Sequence, residues 1–297
     1  MIPTEGISPR YTGLENWPTR DMVNALLESQ IAAIAATLAA AGPLSAAIEA
    51  AAIRLEAGGR LLYLGAGTSG RLAALDAAEL APTFGWPTDR AIALMAGGAG
   101  AFMHAAEGAE DDSAAAIAGL DDIRIGPQDV VIGLAASGRT PFVVAGLDHA
   151  RGHGALTIAI GNNPDGAITR SAEISLTAAT GAEVLAGSTR MKAGTAQKAL
   201  LNCLSTGIFV RMGYVYRGRM VEMRPTNVKL HARAVRMVAE LAEVAEKRAA
   251  DALAQADGSI KLAIVMLVAD LPHAQAEAAL DAAQGRLHRA LAQNIRR

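Results

Sequence analysis

The chain has 297 residues, enough for one large domain or two modest ones, and 52% are apolar against 19% charged, which excludes a disordered tail or a stapled mini-protein. Aromatics are only 3%, so the core must come from Ala, Leu, Val and Ile, with helices packed closely. With 27 basic and 29 acidic side chains the net charge is −2, which leaves no electrostatic footprint for nucleic acid or an anionic membrane, and an anionic ligand has to be met locally.

Residues 1–20 carry Pro3, Pro9, Gly13 and Pro18 without clear periodicity and read as an extended arm. Helical spacing begins at Asp21, runs through 30–38 and again over 44–56, and stops at Gly58-Gly59. The apolar run 31–41 has no basic segment before it and is broken by Gly42-Pro43, so it reads as neither a signal peptide nor a membrane span. Residues 262–269 are apolar too, but far too few to span.

From Arg60 to about Gly213, short apolar runs at 61–64, 91–95, 130–134, 155–160 and 173–176 alternate with helix-length segments. Strands apolar on both faces, alternating with helices, predict an α/β fold: a three-layer αβα sandwich around a parallel sheet. Ligands then bind beyond the carboxyl ends of the strands, so function is expected in the strand-to-helix loops. The single cysteine, Cys203, cannot form an intrachain disulfide; it lies in an apolar helical stretch and is expected in the core of a cytoplasmic protein.

Beyond His231 the chain is helical, Ala-rich and weakly repetitive, with Leu253, Ala256, Gly258 and Ile260 aligning with Leu280, Ala283, Gly285 and Leu287. Two copies predict a small C-terminal helical appendage for packing or oligomer contact, not a solenoid. No helix-turn-helix with a basic recognition face is present, which weighs against a transcriptional regulator. The organisation expected is an N-terminal arm with helices over 1–57, a ligand domain over 58–222 and a helical region over 223–297.

The first loop, 65–71, satisfies G-x-G-x-x-G between a strand and a helix. A dinucleotide site would also want an acidic residue ending the next strand, and that strand ends in Met95-Ala96-Gly97-Gly98. Thr68 and Ser69 instead offer hydroxyls beside backbone amides at a helix start, a cradle for one compact phosphate. The third strand supplies a similar loop, Ser137-Gly138-Arg139-Thr140-Pro141, with proline pre-set for the first helical turn. Either loop alone is also consistent with an ordinary N-cap. A third segment, 187–198, gathers hydroxyls with Arg190, Lys192 and Lys198 at the start of a long helix; a solvated basic face is the alternative.

Carboxylates form the other theme. Glu79 sits in an Ala-rich apolar setting where desolvation would raise its pKa and keep its proton for delivery. Glu107 and Glu110 belong to an acidic cluster that would, standing alone, be a solvated surface. His149 and His153 have metal-ligand spacing, but Gly152 intervenes and no partner carboxylate is evident, so a surface pair is expected and no metal. His104, His273 and His288 give no signal, and His231 suits either proton shuttling or a helix start.

Taken together, Gly65-Ala66-Gly67-Thr68-Ser69-Gly70-Arg71 with Asp76-Ala77-Ala78-Glu79, Pro82-Thr83-Phe84-Gly85, Ala96-Gly97-Gly98, Glu107-Gly108-Ala109-Glu110-Asp111, Ala135-Ala136-Ser137-Gly138-Arg139-Thr140-Pro141 and the 187–198 block closely resemble the N-acetylmuramic acid 6-phosphate etherase family over roughly residues 58–233. The resemblance implies a sugar isomerase (SIS) domain, a cytoplasmic homodimer, a role in recycling cell-wall amino sugars, and cleavage of a D-lactyl ether to give N-acetylglucosamine 6-phosphate and D-lactate. It assigns Glu79 as proton donor to the departing lactate and Glu110 as a second essential glutamate. Substrate contacts are expected from Gly67, Thr68, Ser69, Glu107, Ser137, Gly138, Arg139, Thr140, Ser188 and Lys192. The expected partner is a small amino-sugar phosphate, with no nucleic acid, membrane, metal or other cofactor. The chain departs from the family's pattern in the arm, at Leu80-Ala81 in place of Cys-Pro, and at 217–222.

A regular helix from Gly70 to Glu79 would place Glu79 about 13 Å along the axis from the phosphate loop, which suggests that it serves the partner subunit's site. Two other readings share the fold. The glucokinase regulatory protein resembles these etherases and binds sugar phosphates without the reaction, and an aldose-ketose phosphosugar isomerase would act on sugars lacking lactate.

Overall fold

In the computed structural model, residues 3–104, 106–225 and 227–294 are described. The chain separates into two compact units, one comprising 1–78 and 88–208, the other 79–87 and 209–297.

The first unit is built on a five-stranded parallel sheet of β1 (Leu61–Gly65), β2 (Ala91–Met95), β3 (Val130–Ala135), β4 (Leu156–Gly161) and β5 (Ile174–Thr177), in the order β2-β1-β3-β4-β5. Every residue of β1, β3 and β4 is buried, and the edge strands β2 and β5 are mostly half-buried, as expected when helices cover both faces of a parallel sheet. The pleat sorts β1 between the faces: Leu62 and Leu64 join Val143 and Leu147 of α5 (Pro141–Gly152) and Ala116 and Leu120 of α4 (Ser113–Asp122) in one core cluster. On the opposite face, Tyr63 hydrogen-bonds Asp76 of α3 (Gly67–Phe84). The helices α1 (Thr19–Thr37), α2 (Ala41–Glu56), α6 (Ile168–Ser171) and α7 (Lys192–Arg211) complete a three-layer αβα sandwich. Tight seams depend on missing side chains, since a Cβ on Gly133 would lie 2.7 Å from Leu147 and one on Gly207 2.3 Å from Ile48.

Two expectations are corrected. Gly42 and Pro43 do not break the N-terminal helix; they fall in the first turn of α2, where proline costs no hydrogen bond, and the interruption is a 3-10 turn at Leu38–Ala40. The stretch Thr19–Glu56 is consequently long and apolar enough, by length and composition, to cross a bilayer. It exposes Val23, Leu27, Ile31 and Ile34 on α1 at helical spacing, continued by Leu38 at the start of the 3-10 turn. Cys203 is exposed, not in the core, because Leu200, Leu201, Leu204 and Ser205 take the buried positions of α7 and Cys203 shares the outward side with Thr206.

The second unit contains the hairpin β6 (Val215–Tyr216) and β7 (Arg219–Met220) and the helices α8 (Val228–Ala242), α9 (Glu246–Gln255), α10 (Ile260–Val268), α11 (His273–Ala282) and α12 (Leu287–Asn294). Its core includes Val221, Met237, Val238, Leu253, Ile264 and Leu287, with alanines filling the seams between them. The sequence repeat emerges as two helical hairpins, α9–α10 and α11–α12, each turning through a left-handed residue at the same place, Asp257 (φ 51°) and Gln284 (φ 56°), followed by glycine. Phe84, Trp86, Phe209 and Tyr214 form an aromatic cluster in this unit, with Phe84 and Phe209 stacked at 4.4 Å.

Candidate active site

The strand order changes direction between β1 and β3, so the loops leaving their carboxyl ends diverge and open a crevice. Both glycine-hydroxyl loops fall there. At the first, Gly65 and Gly70 pass so closely that a Cβ on Gly65 would stand 2.7 Å from Gly70 Cα, so these glycines of the G-x-G-x-x-G pattern seat the helix on the strand. At the second, Gly138 has φ 70° and a Cβ would stand 2.7 Å from Gly166 Cα, so only glycine fits. Thr140 is the N-cap of α5, followed by Pro141, and makes no side-chain capping bond. Ser137 Oγ accepts from Arg139 N at 3.2 Å. The amides opening α5 therefore lack a side-chain cap, which is what an anion-binding helix start requires.

Gly67, Glu107 and Glu110 are brought together around a cavity of about 200 Å³, whose lining also includes Arg71, Met95 and Ala96. Arg71 donates to the carbonyls of Phe102 (2.8 Å) and Ala101 (3.0 Å), bracing the turn that precedes the two glutamates. Both glutamates are exposed, able to meet solvent or a ligand. A larger groove of about 770 Å³ runs along β2 and α4, but Leu94, Phe102, Met103 and Phe142 make it apolar, and its one carboxylate, Asp112, caps α4 by accepting from Ala115 N. The smaller cavity, by contrast, is lined by two carboxylates and a guanidinium.

The third segment behaves differently from expectation. Buried Glu183 accepts from Lys192 N and Ala193 N, both at 2.9 Å, so α7 begins on a carboxylate of its own chain. The Lys192 ammonium, expected to hold substrate, instead donates to the Thr180 carbonyl at 2.8 Å; burial lowers its pKa, against the opposing charge of Glu183. Ser188 is half-buried and Arg139 exposed. Thr68 lies near α7, since a Cβ on Gly194 would be 3.5 Å from its methyl. Ser69 is buried and donates to Gln197 Oε1 at 2.9 Å, while Gln197 Nε2 is buried without a partner.

The desolvated carboxylate is not Glu79. Leu75, Ala78 and Glu79 form the exposed side of α3, whereas Ala73, Asp76 and Leu80, also spaced three and four apart, point inward. Asp76 is 3% exposed. It accepts from Asn202 Nδ2 (2.8 Å), Ser205 Oγ (3.1 Å) and Tyr63 Oη (3.1 Å). Burial pushes its pKa up, opposed by those hydrogen bonds and the charge of Lys198.

Sequence reading also missed Asn163, whose Nδ2 donates to the Ala136 carbonyl (2.8 Å) and Thr4 Oγ1 (3.0 Å), tying the N-terminal arm to the second loop. The only prior signal was the polar Asn162-Asn163 pair ending a strand. A further correction concerns His149 and His153: the partner carboxylate missing from the local sequence comes from α4, with Asp121 Oδ1 2.7 Å from His149 Nε2.

Comparison with known proteins follows the same lines. Residues 44–151 match the glucokinase regulatory protein N-terminal SIS domain, and residues 110–206 match the SIS domain. A phosphoheptose isomerase from Francisella tularensis shares the fold, at a TM-score of 0.50 and 21% identity over 65% of this chain and 98% of that one. N-acetylmuramic acid 6-phosphate etherase from Deinococcus radiodurans is 45% identical over 97% of this chain and 94% of its own. The Salmonella typhimurium etherase is 45% identical over 98% of both chains. The chain therefore belongs to the N-acetylmuramic acid 6-phosphate etherase family, and is a lyase carried on a SIS domain.

Proposed function

We propose that the protein cleaves the D-lactyl ether of N-acetylmuramic acid 6-phosphate, giving N-acetylglucosamine 6-phosphate and D-lactate in the cytoplasm. The observation that carries this reading is the convergence of Glu107 and Glu110 with the Gly67 loop on one cavity, in a chain 45% identical to etherases over almost its whole length. In the open-chain sugar the C1 aldehyde acidifies the C2 hydrogen. A carboxylate removes that proton as the C3–O bond breaks, and a carboxylic acid protonates the lactyl oxygen as it leaves. Water then adds across the unsaturated aldehyde, hydroxyl to C3 and hydrogen to C2.

Glu79 as the acid and Glu110 as the second glutamate supply both steps by exchanging roles, each transfer contributing about 10²-fold to 10⁴-fold. The phosphate is held by Ser137, Thr140, Ser69 and nearby backbone amides, at a helix start that has no side-chain cap. Fixing that end positions C2 and C3 and meets part of the barrier through orientation.

The protein works as a homodimer in which Glu79 reaches the partner subunit's substrate. Glu79 is exposed, and on the unbroken helix α3 it stands about 13 Å along the axis from Gly70. The apolar stripe on α1 supports association, since exposed rows of this kind are seldom left to water. Incubation with N-acetylmuramic acid 6-phosphate and assay of D-lactate tests the reaction, with Glu79→Gln and Glu110→Gln each expected to lose about 10²-fold or more. Mixing Glu79→Ala with Glu110→Ala should restore activity through hybrid dimers; no rescue despite confirmed subunit exchange rejects the shared site. The match to the glucokinase regulatory protein domain favours, as second reading, a sugar-phosphate binder. Binding of the substrate without lactate release would select it.

A further inference from the structure

We propose that Asp121, His149 and His153 form a binding site for a divalent transition-metal ion, with zinc as the representative, on the outer face of α4 and α5. The three residues each offer a ligand atom, and those atoms lie within 4.8 Å of one another. Two observations make this more than a cluster of polar surface groups.

First, the set combines two imidazoles and a carboxylate, the donors that zinc prefers, from two helices packed together. His149 and His153 are one helical turn apart, and Asp121 arrives from the neighbouring helix with Oδ1 2.7 Å from His149 Nε2. An ion with bonds of about 2.0–2.2 Å sets neighbouring ligand atoms about 3.4 Å apart in a tetrahedron, so coordination takes small side-chain rotations together with transfer of the hydrogen that His149 Nε2 now donates to Asp121, either to its own Nδ1 or to solvent.

Second, the tautomer of His153 is selected in advance. Its Nδ1 lies 2.9 Å from the His149 carbonyl oxygen, which can only accept. Nδ1 therefore carries the hydrogen and Nε2 keeps a lone pair, the arrangement by which metal-binding histidines are held ready. The two rings stand 4.4 Å apart, close enough to serve one ion. Three protein ligands leave a fourth position for water or another donor.

The site is remote from the proposed reaction. α5 starts in the phosphate-type loop at the carboxyl end of β3 and ends where the chain turns back into β4, so His149 and His153 lie toward the amino ends of the strands. Its effect would be to clamp α4 to α5.

Isothermal titration of the untagged full chain with zinc chloride tests this, with cobalt chloride as a spectroscopic probe. One zinc ion per chain is expected at micromolar affinity, visible cobalt absorption of a four-coordinate site, and a higher Tm with zinc. His149→Asn and His153→Asn should each weaken zinc binding by about tenfold or more, with Asp121→Asn weaker in effect. Circular dichroism verifies that each variant is folded, and because His153 is exposed its replacement removes a ligand without touching the core. If the folded double variant His149→Asn/His153→Asn binds zinc as tightly as the original chain, or the original chain binds none, the three residues are only an ion pair with a neighbour and the proposal fails.

Discussion

The helices α5 and α7 both start beside the crevice loops, yet their N-termini are built in opposite ways. α7 opens on Glu183, a buried carboxylate that accepts two of its first amides, so the position where an anion would sit is already filled from within the chain. α5 opens on Thr140 and Pro141 with no side-chain cap, beside Ser137 and the glycine corner at Gly138. A helix start that supplies its own anion is architecture; one that withholds it has room for a ligand. The cations clustered near α7 made that segment look like the binding element, but its helix start is already occupied by Glu183, whereas that of α5 has no side-chain cap.

The sharpest way to break this contrast is to remove the hydroxyls at α5. Ser137→Ala with Thr140→Val should raise KM for N-acetylmuramic acid 6-phosphate, and the inhibition constant for inorganic phosphate, by about 10²-fold, since hydrogen bonds to a charged group are each worth about 1.5–3 kcal/mol. Unchanged phosphate inhibition would move the anion elsewhere. A smaller effect is expected at the other helix. Glu183→Ala uncaps α7 and should cost about 1–3 kcal/mol, seen as a Tm lower by roughly 5 °C, with millimolar phosphate raising Tm more in this variant than in the original chain. The smallest effect concerns Asp76, which anchors α3 to α7. Its pKa is raised by burial, so the folded chain keeps the proton to higher pH than the unfolded chain; stability is greatest below the ordinary aspartate value and falls as pH rises through the raised one. Asp76→Asn retains a carbonyl acceptor and should flatten that slope, changing Tm by only about 1–2 °C elsewhere in the pH range. An identical slope in the variant would show that Asp76 does not titrate in this window.

Much of the fold was legible beforehand because the strands are continuous apolar runs between helix-length segments, and the parallel sheet follows from that alternation. The position of the two glycine-hydroxyl loops was legible as well, since each follows a strand and opens a helix as the sequence pattern predicts. The carboxylates were harder. Glu79 and Asp76 share an Ala-rich stretch, and which one faces the interior depends on how α3 is rotated against Tyr63, Asn202 and Ser205, the last two more than a hundred residues away in the chain. Cys203 was misread for the same reason: an apolar neighbourhood in sequence does not say which side of α7 is turned outward.

What the amino-acid order determined by itself was local: strand and helix segments, the glycines that allow tight corners, the hydroxyls at helix starts, and the duplicated helical hairpin near the end. Tertiary structure decided everything that requires two distant segments to meet. It put Glu107 and Glu110 on the Gly67 cavity, placed Glu183 under α7, tied Thr4 to Asn163, and carried Asp121 to His149. The reason is physical. Periodicity and turn chemistry act over a few residues, whereas burial, capping by a remote side chain and the pairing of titratable groups depend on how packed elements are rotated and registered against one another.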